Sequence, residues 1–232
     1  MAGVKTGISG QINNNIVTDG LVFYADPAYK KSWAGPDSNT INSLVGTSVG
    51  SIYNDTSGSY GDNKSFDFDS VDDYIDTNFL PPTSNNSRTI SLWFKVGNAV
   101  FKNLLGYGAQ ASNQAFDIWT HPSSPSSGYN IGMHLYGTAI LASAIFIPNV
   151  WKNYTITYDG TTLRGYGDGV AANTSTNGVN TNTTINCLIA DGAYDNLGKF
   201  DGEISSILIY NRALSAGDVL QNYQAQKERF GL

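Results

Sequence analysis

The sequence predicts an all-β fold, in which two antiparallel sheets form a sandwich that one short helix closes at the C-terminus. Short segments with alternating apolar residues recur along the chain, and clusters of Gly, Asn, Asp, Ser and Pro separate them about every ten residues. Of the 19 carboxylates only Glu203 and Glu228 are glutamates, whereas exposed faces of helices favour Glu. These observations favour strands joined by turns, without the strand–helix alternation of a parallel sheet.

The most regular stretch lies near the C-terminus. The segment from Ile204 to Tyr210 is apolar on both faces of a strand, which predicts Ile207 and Ile209 on one face and Ile204, Leu208 and Tyr210 on the other. A strand of this kind needs cover on both sides. We therefore expect it to lie between the opposite sheet and the closing helix.

The helix is predicted to begin at Ser215, because Ser is a favourable N-cap and Asp218 follows three residues later. Gly231 supplies the backbone freedom of a C-terminal cap. The apolar residues that recur at helical spacing, and that we expect to pack on a sheet, are Val219, Leu220, Tyr223 and Phe230.

The other strands follow from alternation and turn signals. The segment 88–96 places Ile90, Leu92, Phe94 and Val96 on one face. Asp159-Gly160 is a hairpin turn between two alternating segments. Further strands are predicted at 21–25, 41–45, 49–53, 66–69, 74–77, 101–107, 115–120, 130–136 and 185–189.

Composition excludes several classes of function. The formal charge of −6 and the pI of about 4.7 argue against nucleic-acid binding, which depends on clustered Lys and Arg. A single cysteine, Cys187, excludes an intrachain disulfide framework and is expected to be buried in a strand. The N-terminus lacks the apolar run of a signal peptide, and no segment has transmembrane length, so we expect synthesis in a cytoplasm without membrane insertion.

Two regions are predicted. Residues 1–17 are rich in Gly and Asn without a sustained period, which is typical of an arm that becomes ordered on a partner or of a plain frayed terminus. Residues 18–232 are predicted to form one sandwich domain, since its length suits a single β-sandwich.

Several motifs in order carry a family resemblance. The blocks are GLVFYADP, SFDFDSVDDYIDT, RTISLWFKV, VWKNYTITYDGTTLRGYGDG and FDGEISSILIYNRALSAGDVLQNY. Together they resemble the laminin-G-like branch of the concanavalin A-like lectin and glucanase superfamily over about residues 18–230. The resemblance implies a jelly-roll sandwich with one concave sheet, but the fold hosts lectins, hydrolases and structural modules alike.

Catalysis is not predicted from the residues. A retaining glucanase of this superfamily uses two glutamates and an aspartate alternating on one strand, whereas Glu203 is the only glutamate of its strand. Asp67 and Asp69 share one strand face and are interpreted as exposed positions opposite a Phe-lined core. The two histidines, His121 and His134, have no Ser or Cys arrangement that indicates a triad. We therefore assign no catalytic residue.

A structural Ca²⁺ follows only from the resemblance, since the superfamily often binds the ion between the first strand and the turn before the last. Asp26 and Asp201 stand at those places and are the predicted ligands, because Ca²⁺ prefers carboxylate and carbonyl oxygens. The alternative is an Asp-Pro turn and an Asp-Gly turn that bind no metal.

Glycan binding is the second chemical prediction, since sugars stack on aromatic rings. The predicted platform consists of Tyr107, Trp119, Tyr129 and Tyr136. The alternative is that most of these rings pack in the core or at its rim, as we expect for Trp93. This is the usual outcome, because large aromatic side chains are generally buried.

The arm and the C-terminal block are most similar to modules in virion proteins of tailed bacteriophages. The resemblance implies a non-enzymatic virion structural protein, either a capsid decoration or a fibre or adhesion subunit, that docks on other virion proteins through residues 1–17 and is oligomeric on the particle. The alternative is a lectin module for host or environmental glycans, and a glycan hydrolase is a third hypothesis.

Overall fold

A computed structural model describes residues 15–54, 58–59, 65–97, 101–122, 129–136, 139–182, 185–193 and 198–232; for 58–59, 122, 129 and 139–145 the description is limited to the backbone. Sixteen strands alternate with loops in the described residues, and one α-helix and a short 3₁₀ helix follow them. The strands are β1 Leu21–Ala25, β2 Thr40–Asn42, β3 Val49–Tyr53, β4 Gly58–Ser59, β5 Ser65–Asp69, β6 Tyr74–Asp76, β7 Arg88–Val96, β8 Lys102–Gly108, β9 Ala115–Pro122, β10 Tyr129–His134, β11 Ala139–Phe146, β12 Lys152–Tyr158, β13 Leu163–Gly167, β14 Val170–Ser175, β15 Leu188–Ile189 and β16 Asp201–Tyr210. The helices are α1 Ala216–Gln226 and the 3₁₀ helix Lys227–Phe230.

The strands form two antiparallel sheets, which confirms the predicted sandwich. The first sheet has the order β14-β13-β12-β7-β16-β5-β4, and β1 also pairs with β16. The second sheet has the order β11-β10-β9-β8-β15-β6-β3-β2. Neighbours far apart in sequence, such as β7 and β16, are typical of a jelly roll rather than a simple meander.

β16 is the central strand of the first sheet. One of its edges pairs with β7, while the other edge pairs with β5 over Asp201–Ile204 and with β1 over 207–210. The register on β7 shifts between Ser205 and Leu208, where Ser206 adopts a left-handed φ of 43°. This bulge changes the sheet face to which the side chains before it point.

The bulge corrects one prediction of strand faces. Ile204 lies in the main core together with Ile207 and Ile209, whereas Leu208 and Tyr210 belong to a second cluster on the outer face. Strict alternation had placed Ile204 with Leu208. One extra residue at Ser205–Ser206 reverses the alternation, and this is not visible in an apolar pattern.

The main core lies between the two sheets. β7 contributes the four residues predicted for its inner face, and Phe66 and Phe68 face the same core while Asp67 and Asp69 point outwards. Cys187 is fully buried in this core, as predicted, but it lies in the loop directly before β15 and not in a strand. Burial raises the pKa of its thiol well above the usual range, so the group is inert.

The helices cover the outer face of the first sheet. The Trp93 ring stacks between Tyr223 and Phe230, with centroid distances of 5.6 and 4.1 Å. Its indole N–H donates to Gln226 Oε1 at 2.7 Å, and the Gln226 amide donates to the hydroxyl of Ser206 in the bulge at 2.7 Å. The prediction that Trp93 is a packing residue is therefore confirmed.

The ends of the helical segment match the sequence. The Ser215 hydroxyl accepts from the Asp218 amide, and the Asp218 carboxylate accepts from the Ser215 amide, which completes a capping box. Gly231 adopts a left-handed φ of 77° at the C-terminal cap. The prediction for Leu220 is wrong, because it is 40% exposed; the buried stripe continues through Val219 and Asn222 instead.

The described chain begins against this helix. Ile16 and Val17 are buried beside Leu214 and Val219. The Val17 amide donates to Asn222 Oδ1 at 2.8 Å, and the Val17 carbonyl accepts from the Tyr210 hydroxyl at 2.9 Å. Part of the predicted arm thus packs on the domain, while its residues 1–14 lie outside the described residues.

No helix in the described ranges is long and apolar enough to cross a membrane.

Candidate functional site

The candidate site lies on the outer face of the second sheet, opposite the face that meets the core. Along β9, Phe116 and Ile118 belong to the main core. Since side chains alternate across a strand, Asp117, Trp119 and His121 project from the other face. Both described helices pack on the first sheet, so they leave this face free.

Five rings meet around β9 and form, with Asp117, what we call the β9 cluster: Phe101, Asp117, Trp119, His121, His134 and Tyr136. The Phe101 ring stacks on Trp119 with centroids 5.4 Å apart, and the His121 ring meets Trp119 edge-on at 5.1 Å. His134 lies 5.6 Å from Trp119 and 6.4 Å from Tyr136. Phe101 is 42% exposed, while Trp119 beneath it is 5% exposed.

Three polar atoms of the β9 cluster are buried without a hydrogen-bond partner among the described residues. They are Asp117 Oδ2, Trp119 Nε1 and His121 Nδ1, on three successive residues of one strand face. A buried polar atom without a partner costs about 1–3 kcal/mol and is uncommon in native proteins. Such atoms along one strand face show that the described residues leave hydrogen-bonding capacity unused there.

Asp117 is enclosed by close backbone. Its Oδ1 accepts from the Ala193 amide at 2.8 Å. A Cβ atom on Gly106 would lie 1.9 Å from Asp117 Oδ1 and 2.6 Å from the Cα of Gly192, so only glycine fits at position 106. Burial raises the pKa of Asp117 to about 7, while the hydrogen bond from Ala193 opposes the shift. Burial also lowers the pKa of His134 on the neighbouring strand.

The four residues of the predicted glycan platform separate. Trp119 and Tyr136 meet in the β9 cluster through His134. Tyr107 is fully buried in the core, where its hydroxyl accepts from Arg88 Nη1 at 2.9 Å and donates to the Pro82 carbonyl at 3.1 Å. The prediction for Tyr107 is therefore corrected, whereas the side chain of Tyr129 lies outside the described residues.

The sequence prediction missed Phe101, Asp117, His121 and His134 as site residues. A usable signal was present in AFDIWTHP, where Phe116 and Ile118 alternate with polar or amphipathic residues. Alternation with an apolar inner face assigns the other residues to one outer face. The contact of Phe101 and His134 with that face depends on strand order, which the pattern does not contain.

Asp26 does not fit a Ca²⁺ site. Its carboxylate is fully buried, and Oδ2 forms an ion pair with Arg229 Nη1 at 2.7 Å and accepts from the Tyr24 hydroxyl at 3.0 Å. The other oxygen accepts from the Ala28 amide at 2.9 Å. These partners use the oxygens that an ion would need.

Asp26 and Asp201 also lie far apart. Ala25 pairs with Ile207, and Asp201 is six residues from Ile207 along β16, which corresponds to roughly 20 Å of strand. One ion cannot bind both, so the structure corrects their assignment as a shared pair. Asp201 instead stands opposite Asp69 in the register.

An acidic turn follows β5. One carboxylate oxygen each from Asp69, Asp72 and Asp73 lie within 4.8 Å of one another. Two of these residues are exposed, and the Asp73 carboxylate accepts from the Asp69 amide at 3.1 Å. Acidic turns of this kind are common without metal, so the geometry alone does not argue for an ion, and Ca²⁺ binding stays a prediction.

Glu203 has a carboxylate partner that the sequence prediction missed. It stands directly opposite Asp67 between β16 and β5, and burial followed by the Glu203 charge raises the pKa of Asp67. Glu203 also forms an ion pair with Lys95 and accepts from the Ser65 hydroxyl. This pair lies on the outer face of the first sheet, away from the β9 cluster, and is the acid–base candidate for a hydrolase.

Comparison with protein families gives one match. Residues 69–220, more than half of the chain, match a family model described as "Concanavalin A-like lectin/glucanases superfamily". No curated protein sequence matches the chain.

Solved structures share the fold at low identity. Domain 4 of AbnA, a GH43 extracellular arabinanase from Geobacillus stearothermophilus solved in complex with arabinotriose, is 19% identical; the match covers 88% of this chain and 98% of that chain, with a TM-score of 0.62. The binding domain of Paraclostridial Mosquitocidal Protein 1 is 17% identical, and the match covers 88% of this chain and 52% of that chain, with a TM-score of 0.60.

A sialidase is also similar. Trypanosoma rangeli sialidase in complex with the inhibitor DANA is 14% identical, with a TM-score of 0.63; the match covers 92% of this chain but only 34% of the sialidase. The chain thus spans about a third of that enzyme. At these identities the likeness shows the fold alone.

We predict a pH dependence of stability that originates from Asp117. Its pKa is about 7 in the folded protein and is raised from 3.8, so between about pH 4 and 7 the unfolded chain ionises while the folded carboxyl keeps its proton. Asp117 therefore lowers the free energy of unfolding as pH rises, by at most about 1.4 kcal/mol per pH unit.

Urea unfolding of wild type and Asp117→Asn between pH 4.5 and 7.5 measures this contribution. We expect the stability of the variant relative to wild type to rise with pH through the window. A difference that stays constant with pH would contradict the shifted pKa.

For Asp26 we predict a loss of stability that is independent of Ca²⁺. Asp26→Asn leaves Arg229 without its ion partner and should cost about 2–4 kcal/mol, whereas Asp201→Asn should stay within about 1 kcal/mol because that residue is partly exposed. Thermal unfolding of both variants and wild type, with Ca²⁺ and with EDTA, gives the measurement. Asp26 would be a ligand if EDTA lowered the wild-type Tm and left that of Asp26→Asn unchanged.

Proposed function

The chain belongs to the concanavalin A-like lectin/glucanases superfamily, and on this premise we propose that it is a non-enzymatic carbohydrate-binding module whose site is the β9 cluster. The observation that carries the proposal is the set of three unpartnered polar atoms on Asp117, Trp119 and His121. They lie directly beside an exposed aromatic ring, that of Phe101.

Sugar hydroxyls suit this set of atoms. A hydroxyl donates one hydrogen bond and accepts others, so a sugar could accept from the Trp119 indole N–H and donate to the unpartnered Asp117 oxygen. Both atoms are buried, so binding requires the side chains that cover them to move aside. The His121 ring nitrogen takes a donor or an acceptor according to its tautomer. Asp117 and His121 are four residues apart on β9, which is about 13 Å of strand, so hydroxyls of successive sugar units are needed to reach all three side chains.

The rings of the β9 cluster supply apolar contact. The exposed Phe101 ring is supported from below by Trp119 at 5.4 Å, and the two form a rigid surface against which the apolar face of a sugar ring packs. Aromatic groups with a few polar atoms are the usual composition of a small-molecule site. Rigid aromatic side chains also lose little conformational entropy on binding.

Charge favours neutral saccharides. The protein has a formal charge of −6, and Asp117 lies within the cluster while Asp191 is close enough to raise its pKa. An anionic sugar would meet the net negative charge of the protein, and above about pH 7 also the ionised Asp117 carboxylate, which is unfavourable. We therefore propose neutral host or environmental glycans as ligands.

We predict that single substitutions separate binding from stability. Trp119→Phe keeps a large ring but removes the indole N–H, so it should weaken glycan affinity about tenfold or more and leave the Tm unchanged or higher, because a buried unpaired donor is lost. Phe101→Ala should weaken affinity by a similar factor. Leu220→Ala, an exposed apolar residue on α1, is the control and should bind as wild type.

A glycan array followed by calorimetry on the hits measures these affinities. Failure of wild type to bind any glycan, or unchanged affinity in both site variants, would refute the proposal. Incubation of the same glycans with the protein tests the hydrolase alternative. If the wild type releases reducing sugar and Glu203→Gln does not, the chain is an enzyme.

We further propose that the module is a structural subunit of a tailed-bacteriophage virion, as a capsid decoration or a fibre or adhesion subunit. The proposal rests on the sequence resemblance, and one geometric feature supports it. Residues 15–17 pack on α1, at the outer face of the first sheet, whereas the β9 cluster lies on the outer face of the second. An arm that docks on other virion proteins would then leave the glycan-binding face pointing outwards.

This second proposal has a direct test. Mass spectrometry of purified particles should detect the chain in stoichiometric amount, and a variant lacking residues 1–14 should be lost from particles while it keeps its glycan affinity. Absence of the wild-type chain from particles would end the virion proposal and leave the lectin proposal standing. A map of the intact particle would show whether the subunit is oligomeric there.

A further inference from the structure

A second feature lies on the same outer face as the β9 cluster. We call it the β6 depression and define it by Tyr53, Tyr74, Asp76, Asn186, Asp191 and Lys199. All of these residues except Tyr53 line a cavity of about 470 Å³, together with Ile185 and Leu188. Tyr53 belongs to the depression through its stacking on Tyr74. None of its residues was singled out by the sequence.

Two tyrosines form its aromatic wall. The rings of Tyr53 and Tyr74 are nearly parallel, with an angle of 6° between planes and centroids 4.6 Å apart, and Tyr53 is 42% exposed. The Lys199 ammonium lies 4.3 Å from the centre of the Tyr74 ring. The stack is therefore held in place before any ligand arrives.

Polar groups surround this wall. Lys199 forms an ion pair with Asp191. On the other side, Asp76 accepts from the Asn78 amide at 2.8 Å, and the Asn186 amide lies 3.5 Å from the same carboxylate oxygen. A carboxylate has about four lone-pair positions, so Asp76 keeps acceptor capacity. Aromatic rings with carboxylate, amide and ammonium groups are the composition that recognises a hydroxyl-rich ring.

The sheet register aligns the β6 depression with the β9 cluster. Asp76 pairs with Leu188, Leu188 with Gly106, and Gly106 with Asp117, so a straight row crosses the sheet from β6 to β9. Tyr74 precedes Asp76 by two residues, and Trp119 follows Asp117 by two residues. Because β6 and β9 run in opposite directions, both rings lie on the same side of this row. Three strand spacings separate them, which is about 14 Å.

Asp191 links the two places. It follows β15 and lines the β6 depression. Burial is the main cause that raises the pKa of Tyr74 and of Asp117, and the charge of Asp191 adds to both shifts. Two residues later the Ala193 amide binds Asp117. The segment 191–193 thus contacts one group of each place, Lys199 through Asp191 and Asp117 through Ala193.

We propose that the β6 depression is a second saccharide subsite and that one glycan chain contacts it together with the β9 cluster. The ligand class is then a neutral oligo- or polysaccharide longer than a disaccharide, bound across the strands, rather than a terminal monosaccharide. This inference rests on the proposed lectin function. Occupation of the first subsite raises the effective concentration of the chain at the second, so affinity increases with chain length until both are filled.

A chain-length series tests the proposal. Array hits, together with arabino-oligosaccharides of one to six units, are titrated into wild type, Tyr74→Ala, Tyr74→Phe and Phe101→Ala. For wild type we expect the Kd to fall at least about tenfold between the shortest and longest chains and then level off. Tyr74→Ala should remove this gain and leave the affinity for the shortest binding chain unchanged.

The controls separate the two proposals. Tyr74→Phe keeps the stacked ring and should bind every length as wild type, whereas Phe101→Ala should weaken all lengths. Unchanged affinity of Tyr74→Ala for every chain would overturn the second subsite while lectin function survives. Weaker binding of Tyr74→Ala to the shortest chains would also overturn it, since the depression would then be the primary site. Absence of binding by wild type to any saccharide would overturn both.

Discussion

The structure depends on the pairing of β16 with three other strands. Its ten residues join β7 along one edge and β1 and β5 along the other, so strands from both ends of the chain meet in one sheet. The bulge at Ser205–Ser206 divides this strand, and Gln226 and Arg229 of the closing helices donate to the two serine hydroxyls. The two serines of the bulge in the central strand therefore hold the C-terminal helices in place through hydrogen bonds.

The two outer faces of the sandwich differ in how their polar groups are satisfied. On the first sheet, Trp93, Ser206, Gln226 and Asp26 have hydrogen-bond or ion partners from the helices or neighbouring loops. On the second sheet, β9 buries three polar atoms without partners among the described residues. Each such atom opposes folding, and their accumulation on one strand is the observation on which the proposed binding site rests.

The carboxylate pair that a hydrolase would use and the proposed binding site lie on different surfaces. The Asp67–Glu203 pair has the proximity that acid–base chemistry needs, but Lys95 and Ser65 already bind the glutamate carboxylate. The β9 cluster and the β6 depression combine rings with carboxylates on one register row. A sheet surface with two aromatic patches therefore suits recognition of an extended chain.

The sequence by itself determined the elements whose signals are local: the alternating faces of β7, the Asp159-Gly160 hairpin, the capping box at Ser215 and the family to which the motifs belong. Tertiary structure decided which residues become neighbours. It buried Tyr107 against Arg88, separated Asp26 from Asp201, gave Glu203 a partner in Asp67, and reversed Ile204 through a bulge. Alternation and turn chemistry act within a few residues, whereas strand order and register arise from burial of the whole core, so the site could be read only after the strands were paired.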